Sequence, residues 1–112
     1  MPKKGKGLKL NSMDDDRRRE ETLKVLSVFS ILTESGHTPK SYGLPENPYY
    51  ESSFETKSKI NKGIIEYPMC DDSELSEVLI VLEDNGIKNV FTERYTYMDD
   101  NKTFIRLLFD LP

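Results

Sequence analysis

His37, Cys70 and three runs of aspartate, Asp14–Asp16, Asp71–Asp72 and Asp99–Asp100, are the side chains whose types could do chemistry in this chain. A catalytic nucleophile needs a base, and the base needs a group that orients it. His37 is the lone histidine, it follows a helix-like stretch, and no spacing supplies its partners; a capping or surface role fits it. Cys70 precedes a helix start, where the positive helix end would acidify a thiol, but Asp71 and Asp72 oppose that. It reads as an inert small residue at the end of a strand. The aspartates could hold a weakly bound Mg²⁺ or Ca²⁺, or dock a basic partner. Aspartate is also what helix caps and turns prefer, and neither an EF-hand loop nor any other metal-ligand spacing is present. The expectation is no catalytic residue, no metal and no cofactor, with Asp71, Asp72, Asp99 and Asp100 as an acidic rim.

Charge is spread unevenly. The net charge is −4, but residues 1–24 carry eight Lys/Arg against five Asp/Glu, so the body is acidic and repels nucleic acid. Lys3, Lys4, Lys6 and Lys9, interleaved with Gly5 and Gly7, could contact phosphates or act as an import signal. A length of 112 residues suits one domain with a modest core. A single cysteine excludes an intramolecular disulfide and suits a reducing compartment. No signal-peptide pattern and no membrane-length apolar run occur. The expected location is the cytoplasm, or the nucleus of a eukaryote.

The elements that must position these residues follow from periodicity. Residues 1–11 read as a flexible basic tail, and 12–112 as a single α+β domain. "SMDDDRRREETLKVLSVFSILTESG" predicts a helix with Ser12 as N-cap, Val25, Phe29 and Leu32 on its apolar face, and Gly36 at its C′ position. Residues 37–58 have no period and three prolines, which leaves an irregular segment, either wrapped on the surface or mobile. It contains a minimal Pro45-x-x-Pro48 match beside two tyrosines. A strand near Ile60–Tyr67 follows. Then Leu75, Val78, Leu79 and Leu82 fall at i, i+3, i+4 and i+7 of a second helix, capped by Asp72 or Ser73 and closed by Gly86, with Ile87 placed for the contact that follows such a cap. Residues 88–98 and 103–111 predict a hairpin. The result is an N-terminal helix followed by a β-α-β-β unit: a sheet of about three strands with helices on one face.

The stretch from Ile64 to Leu111 resembles the first half of an ACT domain. Ile64–Tyr67, Asp71–Asp72, Leu75–Leu82 and Asn85–Gly86–Ile87 follow the family's order of strand, Asp-containing turn, helix and "nGI" step. The resemblance implies a ferredoxin-like fold and amino-acid sensing between protomers. Ser73 and Glu74 stand where the family usually has glycine, and no second helix and fourth strand follow.

Two hairpin registers compete. A three-residue turn at Asp99–Asn101 pairs Phe91 with Phe109 and Tyr95 with Ile105, gathering Phe91, Tyr95, Ile105, Leu107 and Phe109 into one core. A two-residue turn at Asp100–Asn101 slips this by one and swaps the faces. The first keeps the larger core and is the expected one. Either way "FIRLLFDL" is apolar on both sides, so the face away from the helices needs a cover. A second copy of the chain would supply it, with Tyr97, Phe104 and Leu108 as interface anchors; residues 37–58 could supply it instead. The function expected from sequence is a non-enzymatic regulatory or adaptor protein working by protein–protein contact through the face of the C-terminal hairpin, as a homodimer. The alternatives are a nucleic-acid accessory protein using the basic tail, and a small-molecule sensor of the ACT type.

Overall fold

A computed structural model describes the backbone of residues 2–50, 53–68 and 71–112, with side chains in the first helix from Asp15 onward. The fold is α+β: two helices and a four-stranded antiparallel sheet. Helix α1 spans Pro2–Glu34. It begins well before the expected cap at Ser12, with proline in its first turn, where the missing N–H would have no helical partner in any case. The segment read as a tail, residues 1–11, therefore enters this helix at Pro2. Strand β1, Ser41–Gly43, lies inside the segment that lacked a period, because three residues are too few to show one. β2 (Lys62–Pro68), α2 (Asp72–Asp84), β3 (Phe91–Thr96) and β4 (Thr103–Asp110) follow.

Both helices stop in the same way. Gly36 and Gly86 take positive φ. Gly36 N–H bonds to Thr33 O and His37 N–H to Leu32 O, and Gly86 N–H bonds to Glu83 O and Ile87 N–H to Leu82 O. This is the paired Schellman arrangement, and it carries Ile87 into the core. At the other end of α2 the N-cap is Asp71, one residue ahead of the expected Asp72 or Ser73; its carboxylate accepts from Glu74 N–H at 2.8 Å.

The sheet order is β1-β2-β4-β3. β2 and β3, joined through α2, run the same way, but β4 lies between them and pairs antiparallel with both. The helices cover one face. There Val25, Val28 and Leu32 of α1 and Val78 and Leu82 of α2 pack with Ile65, Tyr67, Ile105, Leu107 and Phe109. Gly63 lets α1 approach β2 closely: a Cβ there would fall 2.7 Å from Val25 and 2.9 Å from Phe109.

The hairpin takes neither expected register. Phe91 pairs with Leu108, Tyr95 with Phe104 and Thr96 with Thr103. Residues 98–101 form the connection, Tyr97 N–H bonds to Lys102 O, and Asn101 has a positive φ. Phe91 and Tyr95 therefore leave the helix-side core and join Phe104 and Leu108 on the opposite face. Charge explains the shift. This register sets Arg106 opposite Glu93 on one neighbour and Glu66 on the other, whereas the expected one set Arg106 opposite Arg94.

The face away from the helices is not bare. Tyr50 and Phe54 fold over it and pack with Ile64 and Leu108. Leu108 has no exposed surface and Phe104 retains 8%. The premise that placed Leu108 in a contact with a second copy is thereby corrected: the cover comes from the segment between β1 and β2.

Candidate binding site on the covered face of the sheet

Two strands each carry one charge inside an otherwise apolar run: "GIIEYP" in β2 contains Glu66 and "FIRLLF" in β4 contains Arg106. They are paired neighbours in the sheet, 0% and 1% exposed, and Arg106 Nε donates to Glu66 Oε2 at 3.1 Å. A buried ion pair holds only where the remaining donors and acceptors are also met. Here they are: Arg106 donates to Ser53 Oγ at 2.5 Å and to Tyr97 Oη at 3.2 Å. Tyr97 Oη donates to Glu66 Oε2 at 2.5 Å, and Tyr49 Oη, with one proton to give, has both Glu66 Oε1 at 3.3 Å and Tyr97 Oη as acceptors. The guanidinium lies 3.9 Å from the centroid of the Tyr95 ring and 5.2 Å from that of Tyr50. Among the described residues no buried side-chain polar atom lacks a partner.

The same network fastens the covering segment. Besides Ser53, the Phe54 N–H donates to Glu93 at 2.9 Å, with Phe54 held at positive φ. Tyr50 lies against Gly43, whose missing side chain makes room for its ring.

At the rim of this network a cavity of about 300 Å³ opens between Lys40, Tyr49, Tyr97, Asp99, Asp100, Lys102 and Phe104. Lys40 begins the chain's approach to β1, where its N–H bonds to Glu66 O at 2.8 Å. Its ammonium sits 3.4 Å from Glu66 Oε1, 4.1 Å from the Phe104 ring centroid and 5.2 Å from that of Tyr97.

Burial, followed by the hydrogen bonds with Glu66 and Tyr49, drives the Tyr97 phenol well above the ordinary tyrosine range. Burial raises Tyr50 and Tyr67 as well. Burial works against the charge on Arg106, but its hydrogen bonds with Tyr97 and Glu66 outweigh that and hold it above the usual value. For a group whose folded pKa is raised, the contribution to stability is complete below the unfolded value, about 10 for tyrosine, and fades as pH rises toward the folded one. Three of the six tyrosines are therefore expected to ionise only as the protein unfolds in alkali. An ultraviolet titration of tyrosinate followed beside circular dichroism checks this; six phenols ionising together ahead of unfolding would contradict it.

The acidic rim divides. Asp71 caps α2, and Asp72 reaches Arg94 at 3.7 Å. Asp99 and Asp100 line the cavity just described, and Asp100 accepts from Lys102 N–H in the hairpin connection. Topology brings all four to one end of the sheet, but the first pair stands by α2 and the second by the covering segment. Among the described residues no group of three or more His, Cys, Asp or Glu side chains is placed to hold a metal ion. His37 is mostly buried, 3.7 Å from Glu74 and edge-on to Tyr67, whose hydroxyl donates to Glu74; it ties the end of α1 to the start of α2. Cys70 and the side chains of Lys3, Lys4, Lys6 and Lys9 lie outside the described residues. Of the expected anchors, Tyr97 and Phe104 belong to the cavity wall. The sequence reading missed Lys40, Glu66 and Arg106, and gave Tyr49 only as one of the two tyrosines beside the Pro45-x-x-Pro48 match. The signal was a single charge of opposite sign in each of two otherwise apolar runs.

An α+β domain with a polar, aromatic-walled cavity beside a buried ion pair is thus the class that fold and site define. No family model, curated protein or solved structure matches the chain. Among the described residues no helix is long and apolar enough to cross a membrane.

Proposed function

We propose that this protein is a non-enzymatic regulatory or adaptor module that acts by protein–protein contact at its C-terminal hairpin, as a homodimer. The contact runs along the outer edge of β3 rather than over the face of the hairpin. The observation that carries this reading is the state of that edge. β3 ends the sheet with six residues, no proline and no strand beyond it among the described residues. Such edges pair with another chain unless charges or bulges protect them. Here the strand's two charges are engaged within the chain, Glu93 with Phe54 N–H and Arg94 with Asp72. Phe91 at one end and Met98 beyond the other are exposed. The opposite edge, β1, has three residues, too few for a comparable ladder.

Ladder bonds alternate along a strand. Tyr97 N–H points to β4 in the hairpin, so Thr92, Arg94 and Thr96 turn theirs outward. Thr92→Pro removes one outward donor and leaves the β3–β4 ladder intact. Light scattering on the full chain should give a mass near twice 13.0 kDa, and Thr92→Pro should return it to the monomer with little change in melting. A wild-type monomer at every concentration, or a dimer indifferent to Thr92→Pro, rejects the edge contact.

A further inference from the structure

The cavity beside Glu66 holds a cation that belongs to the chain itself. Lys40 enters between Phe104 and Tyr97, with the carboxylate of Glu66 behind it. Tyr97 stands edge-on to Phe104, with centroids 5.2 Å apart, and tilted to Tyr49 at 6.2 Å. Aromatic faces around a carboxylate attract ammonium groups through the ring quadrupole, most strongly where water is excluded. The Glu66 carboxylate is fully buried, and its bonds to Arg106, Tyr97 and Tyr49 do not depend on Lys40.

Of the two cations on Glu66, Lys40 is the looser, and the Tyr49 ring beside it is also exposed. The Lys40 side chain is 45% exposed, whereas Arg106 is buried. Its backbone is fixed at β1, but its stem can swing into water and leave walls and floor standing. The entrance then carries Asp99 and Asp100 against Lys102, a balance that favours an incoming cation and disfavours a phosphate or carboxylate. A volume of about 300 Å³ is at the small end of ligand pockets, about 300–1,000 Å³, and suits a compact head group.

We infer that this cavity is a binding site for an organic ammonium group, walled by Tyr49, Tyr97 and Phe104 with the Glu66 carboxylate behind Lys40, and that Lys40 is its resident, displaceable occupant. The site adjoins the end of β3 through Tyr97, but it does not use the outward backbone groups of that edge, and its test reads ring resonances rather than mass. The ammonium is either a free quaternary amine or an alkylated lysine side chain on another protein.

The experiment is a titration of the full chain with tetramethylammonium chloride and with a short peptide carrying trimethyllysine, read from the ring resonances of Tyr97 and Phe104. Sodium and guanidinium chloride at matched ionic strength are the controls. Lys40→Ala removes the occupant and should strengthen tetramethylammonium binding about tenfold over the wild type. Adding Phe104→Leu should reverse that gain. Lys40→Gln, which keeps the apolar stem, serves in the same way if Lys40→Ala does not fold. Equal affinity for the free amine and the peptide supports a small-molecule ligand; tighter binding of the peptide supports a protein-borne one. No saturable shift in a folded Lys40 variant, or the same response to sodium or guanidinium, overturns the site.

Discussion

Glu66→Ala is expected to lower stability by about 3–5 kcal/mol, the cost of leaving a buried charge without its partner. Arg106 would remain 1% exposed, with Ser53 and Tyr97 as its hydrogen-bond partners, and two phenols would lose the carboxylate that accepts from them. Domains of this size are stable by about 5–15 kcal/mol, so the variant is expected to be largely unfolded on mild heating. Urea denaturation measures the loss. The informative control is the double replacement Glu66→Leu with Arg106→Met. Exchanging both members of a buried pair for apolar groups is often neutral or better, so the double variant should recover most of what the single one loses. The coupling between the two sites then measures the pair directly. A single variant within about 1 kcal/mol of the wild type would mean that water reaches Arg106.

The second large effect is at Leu108. Leu108→Ala empties space between Ile64, Tyr50 and Phe54, and such truncations cost about 2–5 kcal/mol. Because the cover is intramolecular, the drop in melting temperature should be the same at every protein concentration. It should also loosen the segment around Phe54, whose positive φ is held by what surrounds it; hydrogen exchange at the Phe54 amide, bonded to Glu93, reports that. A change below about 1 kcal/mol would show that Tyr50 and Phe54 do not seal the face.

What was legible in the sequence was what adjacent residues decide. The apolar spacing of α2 and the glycines that end both helices act within a turn or two, and they lie where periodicity and cap chemistry put them. The hairpin register was misjudged because the count of apolar pairs was weighed above charge: the observed register sets Arg106 opposite Glu93, and the expected one set it opposite Arg94. The cover was legible only as the alternative to a second copy: Tyr50 packs, Ser53 accepts a hydrogen bond, and Phe54 packs and donates one, and such a segment has no period to decide it. The cavity is drawn from three separate stretches, around Lys40, Tyr49 and the hairpin, with Glu66 of β2 behind it. Its aromatic half was singled out, as Tyr97 and Phe104. Of its charges, Asp99 and Asp100 were singled out, but Glu66 and Arg106 behind it were passed over, because a lone Glu or Arg in an apolar run invites reassignment of the strand's faces before it suggests a partner.

The position of β4 sets an order of events for synthesis. β4 follows the other three strands in sequence, yet it is the strand between β2 and β3. Until it arrives, β2 has β1 alone as a partner and β3 has none, and Glu66 faces its site without Arg106. A nascent chain on the ribosome can form both helices, but it cannot assemble the sheet piece by piece. The sheet requires residues 103–110, the strand that joins β2 to β3 and brings Arg106 to Glu66. Such dependence on distant pairing slows folding relative to a helical protein of equal size, and until those residues emerge the two waiting strands are what a chaperone would bind.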